Sequence, residues 1–244
     1  EALTAGEGIS TGDLNGDGKP ELLAADGPGN SVSVYQNTST PGNISFNTTA
    51  LGAYVSSEAT NAYIADLNDD GRPEIIADTK GYIALRPNTS ASTSVLTFGT
   101  VQLVPMNDFR DKIAVADFDG DGKAEVVYSD QQRLRIYEGP TGNVLWERCN
   151  TTATLIENPI VADVDNDGHA DIVAVSNAYG QASPALQCDD GISIAQAGVR
   201  IFGDEIGKWV RTRRVWNEHA YHITNVEEDG TIPTTEKTNY TQPG

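Results

Sequence analysis

Asp13-Leu14-Asn15-Gly16-Asp17-Gly18-Lys19-Pro20-Glu21 decides how the rest of the chain reads, because the pattern returns three times. The later copies are DLNDDGRPE from Asp66, DFDGDGKAE from Asp117 and DVDNDGHAD from Asp163, at intervals of 53, 51 and 46 residues. Each copy places oxygen-bearing side chains at positions 1, 3 and 5, a glycine at 6 and an acid at 9. Alternating oxygens on a short glycine-containing turn converge on one point, as a hard cation such as Ca2+ requires. A period near 50 residues also announces a repeat architecture.

The flanks of the loops are strand-like. Before them come Gly8 to Thr11, Ala62 to Ala65, Ile113 to Ala116 and Pro159 to Ala162. After them come Leu22 to Ala24, Ile75 to Ala77, Val126 to Tyr128 and Ile172 to Ala174. Short apolar runs of this kind fit strands buried on both faces. A third run, Ser31 to Tyr35, Tyr82 to Leu85, Leu134 to Tyr137 and Val199 to Phe202, tends to alternate, as a half-exposed strand does. A fourth is more variable and is placed at Ile44 to Phe46, Leu96 to Val104, Val144 to Arg148 and Trp209 to Trp216. Four strands per repeat predict an all-β fold, a small β-propeller of four four-stranded blades with a C-terminal extension. An EF-hand is excluded. That motif needs Glu at position 12 between helices, whereas position 12 here is Ala24, Ala77, Tyr128 and Ala174.

These loops and flanks resemble the FG-GAP/VCBS type of calcium-binding blade, similar to the Ca2+-binding blades of integrin alpha-chain propellers. The resemblance spans roughly residues 8 to 216. It implies up to four Ca2+ ions and a ligand set for each. The sets are Asp13, Asn15, Asp17 and Glu21; Asp66, Asn68, Asp70 and Glu74; Asp117, Asp119, Asp121 and Glu125; and Asp163, Asp165, Asp167 and Asp171. Position 7 (Lys19, Arg72, Lys123 and His169) would contribute its backbone carbonyl, which leaves its side chain free to vary. The Phe-Gly and Gly-Ala-Pro signatures are largely missing, Asp26-Gly27-Pro28-Gly29 coming nearest, so the resemblance leans to the VCBS form.

Composition agrees with this reading. The chain has 244 residues and a formal charge of -19, which argues against a nucleic-acid partner. Four bound Ca2+ would bring that charge to -11. No run is long and apolar enough to cross a membrane, and no basic-then-apolar leader opens the sequence, as expected of a mature chain or a piece of a longer one. Six Asn-x-Ser/Thr triplets, at Asn37, Asn43, Asn47, Asn88, Asn150 and Asn239, are candidate glycosylation sites; a Thr-rich surface also produces such triplets by composition.

Strands of a meander alternate in direction. The strand 1–2 loops and the 3–4 connections therefore share one end, and the 2–3 turns and blade crossings share the other. Glycans at Asn37 or Asn88 would crowd the cation end. The opposite end carries the main irregularity, a long 2–3 loop in the fourth repeat from about Asn177 to Ala197 that contains Cys188. Cys149 closes the third repeat at the same end, so a Cys149–Cys188 disulfide is expected, the alternative being two unpaired thiols.

Other features carry less. Gly8-Ile9-Ser10-Thr11-Gly12 matches a hydrolase nucleophile elbow, but a cation loop stands where the required helix should follow. His219 and His222 are too few to hold a transition metal. Arg211, Arg213 and Arg214 read as bases on an outer strand paired with nearby acids. Asn225 to Gly230 echoes the loop, but Pro233 replaces its last acid. Trp209 to Asn225 looks like a segment that accompanies such repeats in large secreted bacterial proteins.

The domain reading is a propeller over residues 1–217 and an extension or linker over 218–244. The functional expectation is an extracellular or cell-surface calcium-stabilised module for adhesion or assembly, without catalytic residues. Its partners would be a surface protein, a glycan or copies of itself. A carbohydrate-binding propeller is the alternative, and a polysaccharide-active enzyme a more distant one.

Overall fold

The structure, a computed structural model, describes residues 8–26, 30–47, 51–54, 59–106, 113–152, 159–177, 188, 197–212, 214–215, 224–235 and 237. These residues form fifteen β-strands and, among the described residues, no helix. The strands make four antiparallel sheets in chain order. Sheet 1 contains β1 (Ile9–Gly12), β2 (Glu21–Asp26), β3 (Ser31–Tyr35) and β4 (Leu51–Tyr54). Sheet 2 contains β5 (Ala59–Ala65), β6 (Glu74–Thr79), β7 (Tyr82–Arg86) and β8 (Gln102–Pro105). Sheet 3 contains β9 (Ile113–Ala116), β10 (Glu125–Ser129), β11 (Arg133–Tyr137) and β12 (Val144–Cys149). Sheet 4 contains β13 (Ile160–Ala162), β14 (Asp171–Ser176) and β15 (Gly198–Gly203). Every sheet is a meander, each strand pairing with its neighbour in sequence.

The second strand of each repeat is the apolar axis of its sheet. All of β6 and all of β10 are buried, which is why Ile75-Ile76-Ala77 and Val126-Val127-Tyr128 read as unbroken apolar runs. Three cores join successive sheets. Leu23, Val32 and Val34 of sheet 1 pack with Ala62, Ile75 and Ala77 of sheet 2. Ile76, Ile83 and Val104 of sheet 2 pack with Ile113, Val126 and Tyr128 of sheet 3. Val127, Leu134 and Ile136 of sheet 3 pack with Ile172 and Ala174 of sheet 4. Each buried Ile, Leu or Val contributes about 1.5–3 kcal/mol of transfer free energy, so burial between sheets holds the order of repeats.

The fourth run of each repeat departs from the expectation in three of four places. Val144 to Arg148 falls on β12, but Ile44 to Phe46 does not lie on the outer strand. It is the return arm of a short hairpin tied by Thr38 N–H to Ser45 O (2.9 Å) and Asn47 N–H to Gln36 O (2.8 Å), and Ile44 is 86% exposed. The real outer strand, β4, begins at Leu51. A matching hairpin follows β7, with Thr89 N–H on Thr97 O (2.9 Å), so only the end of Leu96 to Val104 enters β8. Serine and threonine side chains bond these hairpins locally, as Ser39 Oγ does with both N and O of Ser45, and a pattern of apolar alternation cannot register that. Trp209 to Trp216 forms no strand among the described residues, and sheet 4 has three strands there instead of the expected four. The backbone of Val210 is committed elsewhere, between the third and fourth loops.

Candidate cation-binding loops

The four nine-residue loops join the first strand of each sheet to the second. Their shape comes from two left-handed positions and a set of hydrogen bonds that recurs from loop to loop. Position 6 is Gly18, Gly71, Gly122 and Gly168, with φ of 80°, 76°, 91° and 91°. Position 4 is also left-handed, at Gly16 (74°), Asp69 (59°), Gly120 (76°) and Asn166 (64°). The motif as read from sequence included position 6 and missed position 4. The signal was present, since Gly, Asp and Asn are the residues that tolerate this conformation.

Within this frame the acids accept from the backbone. The position 6 N–H donates to Oδ2 of position 1 in every copy: Gly18 to Asp13 (2.8 Å), Gly71 to Asp66 (2.8 Å), Gly122 to Asp117 (3.0 Å) and Gly168 to Asp163 (3.2 Å). The position 5 N–H donates to Oδ1 of Asn15, Asn68, Asp119 and Asp165 at 2.9, 2.9, 3.2 and 3.1 Å. The N–H of Lys19, Arg72, Lys123 and His169 donates to Oδ1 of the position 5 acid at 2.8 to 2.9 Å. Position 7 therefore acts through its main chain, although Arg72 and Lys123 add exposed ion pairs to Asp70 (2.8 Å) and Asp121 (3.1 Å).

The position 9 acid starts the second strand and is buried in all four loops. One of its oxygens accepts the position 2 N–H: Leu14 to Glu21 (2.8 Å), Leu67 to Glu74 (2.9 Å), Phe118 to Glu125 (2.8 Å) and Val164 to Asp171 (3.0 Å). This bond closes the loop at its base. Burial pushes the Glu21, Glu74 and Glu125 carboxyls up, the backbone N–H partly opposes it, and neighbouring loop acids add to it. For Glu125, faced by Asp119, Asp117 and Asp121, the value rises to about 7.

Carboxylate oxygens of Asp117, Asp119 and Glu125 lie within 4.8 Å of one another, and so do those of Asp163, Asp165 and Asp167. In loop 2 the Asn68 Nδ2 donates to Oε1 of Glu74 at 3.3 Å, so the amide relieves part of the charge that a third carboxylate would add. Asp163 is 5% exposed, and its Oδ1 accepts no hydrogen bond. A buried, unsatisfied carboxylate oxygen is costly in a folded protein. A hard cation bound among Asp163, Asp165 and Asp167 would satisfy it, and the all-oxygen donor set suits Ca2+.

Neighbouring loops touch. Ala124 N–H of loop 3 donates to Asp66 O of loop 2 at 3.1 Å. Between loops 3 and 4, Val210 N–H donates to Phe118 O (2.7 Å) and Val210 O accepts from Ala170 N–H (2.9 Å). Trp209 beside it meets Phe118 edge to face at 5.8 Å. Between loops 1 and 2 the link is a side chain. Asn88 Nδ2 donates to Leu14 O (2.7 Å) and to Pro73 O (3.0 Å).

Cys149 and Cys188 are bonded, with a Cα–Cα distance of 5.7 Å; the rest of the loop around Cys188, apart from Asn177 and Ala197, lies outside the described residues. Asn88 is 4% exposed and Asn150 1%, and their amide nitrogens, the atoms a glycan would occupy, donate to backbone carbonyls, Asn150 to Val175 O at 3.1 Å. Asn37 donates likewise to Pro20 O (2.8 Å), while Asn43 and Asn47 are exposed. His219, His222, Arg213 and Asn239 lie outside the described residues. Arg214 bonds Asn166 Oδ1 at 2.7 Å, and Arg211 lines an apolar cleft of about 300 Å³ between β9 and β13. Ser10 lies in β1, with the cation loop and no helix after it. Asn225 to Gly230 forms a turn closed by Gly230 N–H on Glu227 O (2.9 Å).

Comparison with known proteins places these loops in context. The sequence profile of the FG-GAP-like repeat matches residues 13–77 and 117–174, half of the chain. No curated protein sequence matches. The crystal structure of the V. cholerae biofilm matrix protein Bap1 superposes with a TM-score of 0.55 at 15% identity, covering 98% of this chain and 64% of that one. An Agrocybe aegerita lectin that recognises non-reducing terminal N-acetylglucosamine gives a TM-score of 0.44 at 20% identity, over 70% of this chain and 47% of the lectin. The chain thus spans less than two thirds of either structure.

Proposed function

Because this chain belongs to the FG-GAP-like repeat family, we propose that its four loops hold Ca2+ and that the chain serves as a calcium-stabilised module for adhesion or assembly outside the cell. The observation that carries the cation reading is Asp163. Its unsatisfied Oδ1 is buried beside the acids of a loop in which Asp163, Asp165 and Asp167 each already accept one backbone N–H. The ligands would be Asp13, Asn15, Asp17 and Glu21 in loop 1, with their counterparts in the other three, joined by the position 7 carbonyl. A bound Ca2+ neutralises carboxylates that otherwise repel one another. The chain's own part is to hold those carboxylates in place through the position 2, 5, 6 and 7 N–H groups, so that little reorganisation opposes binding.

The four sheets would then be the blades of a small propeller, the inner strands β1, β5, β9 and β13 following one another around its axis. Four copies of one site favour a structural role over a catalytic one, since a reaction centre needs a single specialised set. The disulfide and the fold shared with Bap1, a biofilm matrix protein, support work outside the cell. Thermal melting in EDTA and in Ca2+ tests the reading. At free Ca2+ about 100-fold above the dissociation constant, each site adds about 2.7 kcal/mol. A large fall in Tm on chelation, reversed by Ca2+ but not by Mg2+, is expected. An unchanged melt after metal removal verified by elemental analysis would overturn it.

A further inference from the structure

Tyr35, Arg86, Tyr137 and Phe202 of the third strands pair with the first residue after each loop, and the residue two places beyond them differs among the repeats: Asn37, Asn88, Gly139 and Asp204. So does position 8 of the loop: Pro20, Pro73, Ala124 and Ala170. The two differences are linked. Ala124 and Ala170 have backbone N–H groups, and both use them to reach the neighbouring part of the structure, Asp66 O in one case and Val210 O in the other. Proline has no N–H, so its peptide can be held only through its carbonyl. In repeats 1 and 2, where proline stands at position 8, an asparagine amide takes that carbonyl: Asn37 on Pro20 O and Asn88 on Pro73 O.

Asn88 does more than Asn37. Its second amide hydrogen reaches Leu14 O in loop 1 at 2.7 Å, and its Oδ1 accepts Ser90 N–H at 3.0 Å, so the side chain is fixed at three points. The peptide carrying Leu14 O leads into Asn15, and Leu14 N–H is held by Glu21. The peptide carrying Pro73 O leads into Glu74. One buried amide therefore clamps two peptides, each attached directly to a ligand position of a different loop.

We infer that Asn88 is a positioning residue that couples the first two cation sites, so that an ion in loop 1 raises the affinity of loop 2 and the reverse. This rests on the loops binding Ca2+. An ion that draws Asn15 and Glu21 inward fixes the Leu14 carbonyl, which fixes the Asn88 amide, which fixes the peptide ahead of Glu74. The order created by the first ion is not spent again by the second, and by linkage the effect is reciprocal. Asn37 holds one carbonyl, Pro20 O, and serves loop 1.

Hydrogen exchange read by mass spectrometry on the full chain during a Ca2+ titration tests this, because loops 1, 2 and 4 fall on separate peptides. Asp17→Asn weakens loop 1 while keeping the oxygen that accepts Lys19 N–H. In an Asn88 background it should move the Ca2+ midpoint for protection of loop 2 upward by about fivefold or more and leave loop 4 in place. In an Asn88→Ala background the loop 2 midpoint should already be raised, and Asp17→Asn should add nothing to it. A purely structural asparagine would lower Tm and leave the Asp17→Asn effect intact, which overturns the inference. An Asp17→Asn change that fails to move loop 2 in the native background overturns it without touching Asn88. Absence of any Ca2+-dependent protection in the native chain would defeat the cation reading itself, and the coupling with it.

Discussion

Repeats 1 and 2 and repeats 3 and 4 solve the same problem with different chemistry. The first pair has Asn15 and Asn68 at position 3, Pro20 and Pro73 at position 8, and asparagine amides, half-buried Asn37 and buried Asn88, binding the proline carbonyls. The second pair has Asp119 and Asp165 at position 3, alanines at position 8, and links made by backbone N–H groups. Glu125 in the second pair is pushed up to about 7, chiefly by burial, with three loop acids adding to it. Glu74 in the first pair is raised too, but Asn68 lends its Oε1 a donor. The lesson concerns charge. One carboxylate replaced by an amide makes a loop easier to fold empty and weaker as a cation trap.

Cation removal should give the largest effect and sharpen the contrast. Losing four saturated sites costs about 11 kcal/mol at the affinity assumed above. Exchange protection should vanish from loops 1 and 2 at higher residual Ca2+ than from loops 3 and 4, because Asn15 and Asn68 replace a carboxylate; the reverse order would break the charge argument. Reduction of Cys149–Cys188 comes next. The two residues are 39 apart in sequence, and releasing that constraint is worth about 4 kcal/mol in the chain-entropy description. Calorimetry of the Cys149→Ala, Cys188→Ala double variant checks it, as a fall in Tm.

Exchanging position 3 should break the contrast. Asn68→Asp removes a donor from Glu74 and adds a charge, so the Ca2+-free protein should lose about 1–2 kcal/mol while its Ca2+ affinity rises. Asp119→Asn in loop 3 should do the reverse. Urea denaturation in EDTA and in Ca2+ measures both.

The pH dependence follows from Glu125. Its carboxyl titrates at about 7 in the Ca2+-free fold, against an ordinary value of 4.5. Between those values the folded chain holds a proton that the unfolded chain has released. The contribution is therefore fully present below about 4.5 and is lost as pH rises through about 7. Tm in EDTA should fall over that window, Ca2+ should abolish the fall, and Asp119→Asn should make it shallower. The smallest effect is a rescue. Adding Pro73→Ala to Asn88→Ala gives repeat 2 the N–H that Ala124 uses, and should recover about 1 kcal/mol relative to Asn88→Ala alone.

Much of this was open to reading from the chain. The loop positions, the first three strands of each repeat and the Cys149–Cys188 bond follow from patterns whose physics is local or topological: alternating oxygens, apolar runs and the direction of strands in a meander. The fourth strands did not follow. Ile44 to Phe46 alternates like a strand, yet Ser39 and Ser45 fold it back on itself. Trp209 to Trp216 is rich in strand-forming residues, yet Val210 is drawn between loops 3 and 4.

By itself the sequence determined the number of loops, their oxygen-rich side-chain chemistry and the period on which the sheets are built, because side-chain oxygens and glycines act within nine residues. Only the tertiary structure decided what Asn88 does. As a triplet it reads as a glycan acceptor, and its partners, Leu14 and Pro73, lie 74 and 15 residues away in sequence. An amide finds its use wherever burial leaves a carbonyl in need of a donor, and no local pattern records where that is.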